Sequence, residues 1–248
     1  MDDPYAVAAE FLELMSQEAW RWLRPALAAC LDGVDASAGP VLDLGAGTGL
    51  GTEVVLDAIA GATVLAVEPS PALRAALFTR VLARSDGAAR VTVVPGTLGE
   101  VALPERLGGV IGMHMLGHLS TAQRRELWHE LASRLAPGAP AVVNLQPPAK
   151  PLAVPLAEFV TCTVGHRRYA GSGEAQPDGP DSVQWRMTYR TFEGDDLVAE
   201  AEARYHWWTV APDQLLAEVA AAGLVAERRY PDLFIVRRGS ACAGVPQP

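Results

Sequence analysis

Val41-Leu42-Asp43-Leu44-Gly45-Ala46-Gly47-Thr48-Gly49 narrows the possible folds of this chain further than any other stretch. Residues 41–44 read as a short buried strand. The glycines at 45, 47 and 49 follow it at every second position. Glycine reaches backbone conformations closed to other residues and lets the main chain touch a ligand. Residues 52–60 then suit a helix that Gly61 ends. A strand that enters a helix through such a turn places a ligand beyond the strand's carboxyl end, at the switch point of an open α/β sheet.

The surrounding pattern agrees. Short apolar runs at 63–67, 91–94, 109–113 and 141–145 predict further strands. Between them, Ser70 with Pro71 opens one helix, and Ser120 or Thr121 opens another that Pro137-Gly138 stops. Such alternation implies a parallel sheet covered on both faces. Ahead of it, residues 5–31 predict a helical region that Pro25 kinks or divides. After Lys150 the period changes to two. Three antiparallel strands are expected at 159–169, 182–192 and 197–208, with a loop at 171–181. A helix at 212–222 and a hairpin at 225–230 and 233–237 close the chain. The expected division is a helical lid at 1–35, a cofactor-binding α/β core at 36–150, and an insertion at 151–210. The core is completed by 211–238, and 239–248 form a flexible tail.

Composition excludes several function classes. The formal net charge is −9, whereas nucleic-acid binders need a surplus of cations for phosphates. Lys150 is the only lysine, which with the abundant alanine points to a high-GC bacterial genome. Cys30, Cys162 and Cys242 match no zinc or redox spacing, so no metal is expected. No basic-then-apolar leader and no run near the ~20 residues of a membrane span are visible. The expectation is a soluble cytoplasmic protein without nucleic-acid or membrane partners.

The acids beside the glycine turn indicate the ligand. A dinucleotide fingerprint would carry a third glycine where Leu50 stands, and Asp43 would repel a pyrophosphate. That carboxylate suits an amino group or a sulfonium. Some twenty residues later, at the end of the second strand, Glu68 is placed to accept hydrogen bonds from ribose hydroxyls.

At these residues the chain resembles the class I S-adenosylmethionine-dependent methyltransferases. The resemblance covers about residues 38–148 and 212–238. It implies a doubly wound, mostly parallel seven-stranded Rossmann-like sheet whose reversed last strand is 233–237, with S-adenosylmethionine as cofactor. It places Asp43, Gly45 and Gly47 around the methionine part, with Ala46 and Thr48 in the same turn. Glu68 would hold the ribose, Pro69 and Ser70 would lie near the adenine, and Thr97 and Leu98 would approach its amino group. Two positions depart from the family. Thr97 stands where an aspartate is frequent after the third strand, and Gly108-Gly109 replace an aspartate opening the fourth.

The fourth strand ends in Met113-His114-Met115-Leu116-Gly117-His118-Leu119, beside the transferable methyl in the resemblance. A neutral histidine at 114 or 118 can take a proton from an acceptor. Packing or cofactor contact is the other reading of both. No Asp/Asn-Pro-Pro-Tyr segment of nucleobase and amide methylases follows. Tyr5 and Trp20 near the N-terminus, and His166, Trp185, Tyr189 and Tyr205 in the insertion, suggest walls for an apolar or aromatic small-molecule acceptor. They equally suit the packed face of a small sheet or a homodimer contact. The leading expectation is methyl transfer to a small acceptor in bacterial secondary metabolism. A cyclase or isomerase on the same scaffold, and a non-catalytic cofactor-binding module, are the alternatives.

Overall fold

The computed structural model describes residue 3 and residues 5–239. The expected tail at 239–248, Cys242 included, lies outside the described residues except for Gly239. The chain opens with α1 (Tyr5–Cys30), a single helix that contains Pro25. The proline deprives the Arg21 carbonyl of its helical donor, but both residues face solvent, where water replaces it. Trp20, Leu23, Leu27 and Cys30 form a buried stripe on both sides of the proline and keep the helix on the core.

Strands and helices then alternate. They are β1 (Val41–Leu44), α2 (Leu50–Ala58), β2 (Val64–Val67), α3 (Pro71–Leu82) and the single turn α4 (Gly87–Arg90). β3 (Val91–Val94), β4 (Gly109–Gly112), α5 (Thr121–Arg134) and β5 (Ala141–Asn144) follow. Residues of β1, β4 and β5 are buried throughout, as parallel strands covered on both faces must be. Ser70 caps α3 ahead of Pro71, and Ser120 shares a reciprocal capping box with Gln123 at the start of α5.

Beyond β5 the chain forms β6 (Val154–Val164), β7 (Arg167–Pro177), β8 (Ser182–Glu193) and β9 (Asp196–Trp208). It returns through α6 (Pro212–Ala221), β10 (Leu224–Arg228) and β11 (Leu233–Arg238). The large sheet has the order β10-β11-β5-β4-β1-β2-β3. β1 to β5 are parallel, and β11 runs antiparallel to both β5 and β10. Strand order reverses between β1 and β4, so a crevice opens beyond their carboxyl ends. Helices α1, α2 and α3 cover one face; α5 and α6 cover the other. No helix among the described residues is long and apolar enough to cross a membrane.

The insertion holds four antiparallel strands where three were expected. The strand read at 159–169 folds back at Gly165-His166, and most of the expected 171–181 loop is β7. The small residues of β7 imitate a loop but serve packing. A Cβ on Gly171 would come 2.5 Å from the sulfur of Met15 on α1. Phe11 of α1 stacks on Tyr189 of β8 at 5.0 Å, within a separate small core that includes Ala203 and Tyr205.

One buried ion pair ties the second helical layer together. Arg124 of α5 is fully buried and donates to both carboxylate oxygens of Glu218 on α6, at 3.0 and 2.9 Å. The remaining donors of Arg124 reach the carbonyl of Leu119 at 2.7 Å and the hydroxyl of Thr121 at 3.1 Å.

Candidate active site

The glycine turn has the geometry its sequence demands. Gly45, Gly47 and Gly49 have φ of 71°, 57° and 90°, left-handed values that side chains resist. Under the turn, Asp43 is buried and accepts from Thr52 Oγ1 at 2.5 Å. Burial pushes its carboxyl pKa up to about 7. A cation arriving above it would restore the charged form.

Glu68 follows β2 and is 4% exposed. Its two oxygens accept the N–H groups of Gly47 and Ser70, each at 2.8 Å. Burial raises its pKa against these two hydrogen bonds. One carboxylate thus braces the turn and the start of α3, with lone pairs left for further donors. Arg74 closes the corner by donating to the carbonyls of Glu68 and Pro69, both at 2.7 Å. A second clamp joins α1 to the turn. Arg80 pairs with Glu13 at 2.6 Å and donates through Nε to the Thr48 carbonyl at 3.0 Å.

The glycine turn, Asp43 and Glu68 line a cavity of about 620 Å³. Asp43, Gly45, Ala46, Gly47 and Thr48 form its floor. Glu68, Pro69, Ser70, Thr97 and Leu98 form one side, and Tyr5, Trp20, His114 and His118 another. Thr97 donates its hydroxyl and its N–H to Glu100, at 2.8 and 2.9 Å, so its oxygen can only accept from a ligand. A side chain at Gly108 has no room: a Cβ would lie 2.3 Å from the Gly39 carbonyl oxygen.

Four insertion residues singled out from the sequence are not in the cavity lining. His166 sits exposed on the β6–β7 turn, 3.7 Å from Glu193, and a hairpin tip does not reach the crevice. Tyr189 is buried beneath Phe11, Trp185 packs against the same small core, and Tyr205 lies behind Tyr5 with ring centroids 5.1 Å apart. Sequence reasoning missed Leu12 and Ser16, which line the cavity with Trp20. Their spacing of four along α1 was the available signal.

The two histidines differ in setting. His114 is left-handed, with φ of 58°, and its ring meets Trp20 edge-on at 6.3 Å. Burial lowers its pKa. His118 Nε2 and the Tyr5 hydroxyl are hydrogen-bonded at 2.6 Å, and the ring packs edge-on against Trp207 at 4.8 Å. The surrounding protein pushes the His118 pKa down to about 4. Its ring is open to the cavity, whose water screens part of this push until a ligand displaces it. The neutral form is therefore favoured, and proton-accepting capacity survives as pH falls through the ordinary histidine value of about 6.5. Titration of the His118 ring by NMR is expected to give a midpoint below about 6; a midpoint at or above the ordinary value removes this assignment.

Trp207 also fixes the residue before it in space. A Cβ on Gly117 would fall 1.9 Å from the Trp207 indole. Gly117→Ala is expected to push β9 away from the cavity and lower turnover about tenfold or more. S-adenosylhomocysteine affinity, read by calorimetry, should change less than threefold or so, because the cofactor residues lie elsewhere.

Residues 41–138 match the profile of a family described as methyltransferase domain. These residues carry a methyltransferase domain, and the chain is similar there to the S-adenosylmethionine-dependent methyltransferases. Their cofactor is S-adenosylmethionine, and the site fits it: a buried acid beneath a glycine cradle, and a second buried acid braced against the turn with lone pairs to spare. The chain is similar to Streptomyces venezuelae DesVI, with 17% identity, a TM-score of 0.74, and 96% of this chain and 100% of that one covered. It is similar to S-adenosylmethionine-bound CalS10, an amino pentose methyltransferase from Micromonospora echinaspora involved in calicheamicin biosynthesis. That match has 18% identity, a TM-score of 0.70, and 89% and 92% coverage. The glycopeptide N-methyltransferase MtfA, complexed with S-adenosylhomocysteine, shares 26% identity at a TM-score of 0.55, with 86% of each chain covered. No curated protein is matched by sequence.

Proposed function

We propose that this methyltransferase acts on an amino group of a small natural-product acceptor, an amino sugar or glycosylated amine, in bacterial secondary metabolism. The charge of the cavity carries this reading. Its described lining residues include the acids Asp3, Asp43 and Glu68 and no lysine or arginine. A phosphate- or carboxylate-bearing acceptor would find no cationic partner there, whereas an amine entering among Tyr5, Leu12, Trp20 and Met113 meets apolar walls and acids. The amino pentose and glycopeptide N-methyltransferases among the similar structures support the choice of nitrogen.

In this reading α1 is the lid, and the 151–210 insertion backs the acceptor wall through Trp207 and Tyr205. S-adenosylmethionine supplies the methyl group. Asp43 sits beneath the positive end of the cofactor, and Glu68 holds the sugar with lone pairs that Gly47 and Ser70 leave free. His118, neutral and hydrogen-bonded to Tyr5, relays to solvent the proton that an amine loses on methylation. Holding nitrogen and methyl in line can supply roughly 7–11 kcal/mol without any base, so His118 tunes the rate. Isotope-labelled methyl transfer to a panel of amino sugars and glycopeptide amines tests the proposal. Label on nitrogen of an uncharged or cationic acceptor is expected. Label only on hydroxyl groups, or only on nucleoside diphosphate sugars, overturns it.

A further inference from the structure

His114 is, among the described residues, the one non-glycine with a left-handed backbone. Glycine would take that conformation freely, yet the chain keeps a side chain there, and that side chain lines the cavity. The turn is held from a distance. The His114 N–H donates to Asn144 Oδ1 at 2.7 Å, across thirty residues of sequence. Asn144 ends β5 next to Ala141, Val142 and Val143, and is 1% exposed. A polar side chain in such a strand breaks its pattern. Its Nδ2 has no partner, a penalty that an apolar side chain would avoid. The amide orientation is fixed, because only the oxygen can accept the His114 N–H.

Two departures from local rules thus meet in one hydrogen bond, at the edge of the crevice. We propose that Asn144 is a positioning residue: it holds the left-handed turn at His114, and so sets the imidazole against Trp20 and the following residues against the glycine turn. The neighbouring geometry supports the second part. Met115, one residue on, packs where a Cβ on Gly45 would be, 3.0 Å from the Met115 Cβ. The turn then continues into the short helix Leu116–His118, which carries the second histidine. Asn144 itself touches neither cavity nor ligand. The binding arm of the inference rests on the methyltransferase reading of the crevice.

Calorimetry with S-adenosylhomocysteine and NMR of the His114 ring test it together. Asn144→Ala is expected to weaken S-adenosylhomocysteine about fivefold and to shift the His114 ring resonances. In a His114→Gly background the same change should cost less than about twofold, because glycine needs no support. Equal losses in both backgrounds, or wild-type affinity with unmoved His114 resonances in Asn144→Ala, overturn the inference. If Asn144→Ala does not fold, recovery of the fold in the His114→Gly double variant upholds it, and failure of both overturns it. Absence of S-adenosylhomocysteine binding by the unaltered protein would count against the methyltransferase reading instead, leaving the ring resonances to judge Asn144.

Discussion

Glu68→Ala is expected to weaken S-adenosylhomocysteine binding about a hundredfold or more, the largest loss from any single change in the cavity. Two effects add. In the proposed reading the ribose hydroxyls lose charge-assisted hydrogen bonds that contribute on the order of 1.5–3 kcal/mol each. The N–H groups of Gly47 and Ser70 also lose the acceptor that braces them. Glu68→Gln separates these effects. It offers one acceptor oxygen and replaces the other by a donor, which must face either the Gly47 or the Ser70 N–H. Its affinity should therefore fall nearly as far as that of the alanine variant. Calorimetric titration reads both, and wild-type affinity in either variant would falsify the sugar-holding role. The sign of the pH effect also follows. Burial raises the Glu68 pKa, so the charged acceptor is lost on acidification earlier than for an ordinary glutamate, and affinity should fall on acidification before the ordinary carboxylate range is reached.

Breaking the buried ion pair should unfold the protein more readily than any loss at the cavity. Arg124→Ala leaves the Glu218 carboxylate, 5% exposed, with only Trp128 Nε1 at 3.4 Å and Gln214 Nε2 at 3.0 Å as partners. Glu218→Ala leaves a guanidinium buried without a counter-charge. Removing one member of such a pair costs about 3–5 kcal/mol, which in a protein of this size lowers the melting temperature by roughly 10 °C. Replacing both by apolar residues of similar volume, Arg124→Met with Glu218→Leu, should recover most of the loss, because no charge then remains uncompensated. Differential scanning calorimetry distinguishes the two outcomes. An Arg124→Ala variant that melts with the wild type would mean that water reaches this layer.

The central sheet was legible because its signals are local. A valine-rich run, a glycine turn and a capping serine each declare themselves within ten residues or so. The parallel strands and the glycine turn follow from such signals, whereas the seven-stranded sheet with its reversed β11 and the gathering of Asp43, Glu68, Thr97 and both histidines at one crevice are what the resemblance to methyltransferases implied. The small sheet was read less well. Gly171 and Gly173 looked like a loop, although Gly171 is shaped by Met15 and Phe159, which are distant or non-adjacent in sequence. His166 and Trp185 carried attractive side chains, but hairpin register decides which residues reach the crevice, and register depends on pairing that one strand does not reveal. Nothing in the local sequence marks Arg124, on a polar helix, as buried. Its burial depends on α6, more than ninety residues away. The Asn144–His114 bond was hidden for the same reason: the donor is backbone, and the strain that makes it necessary appears only in three dimensions.

The roof of the cavity is assembled from remote parts of the chain. Tyr5 meets His118 across 113 residues, and Gly117 meets Trp207 of the insertion. The segment matching the methyltransferase domain, 41–138, contains the glycine turn and Glu68 but neither Tyr5 nor Trp207. In the proposed reading, what is donated and what receives it are thus encoded in separable stretches. Exchange of α1 and the insertion between relatives would then offer a route to new acceptors that leaves the donor cradle intact, so that the two flanks vary without rebuilding the middle.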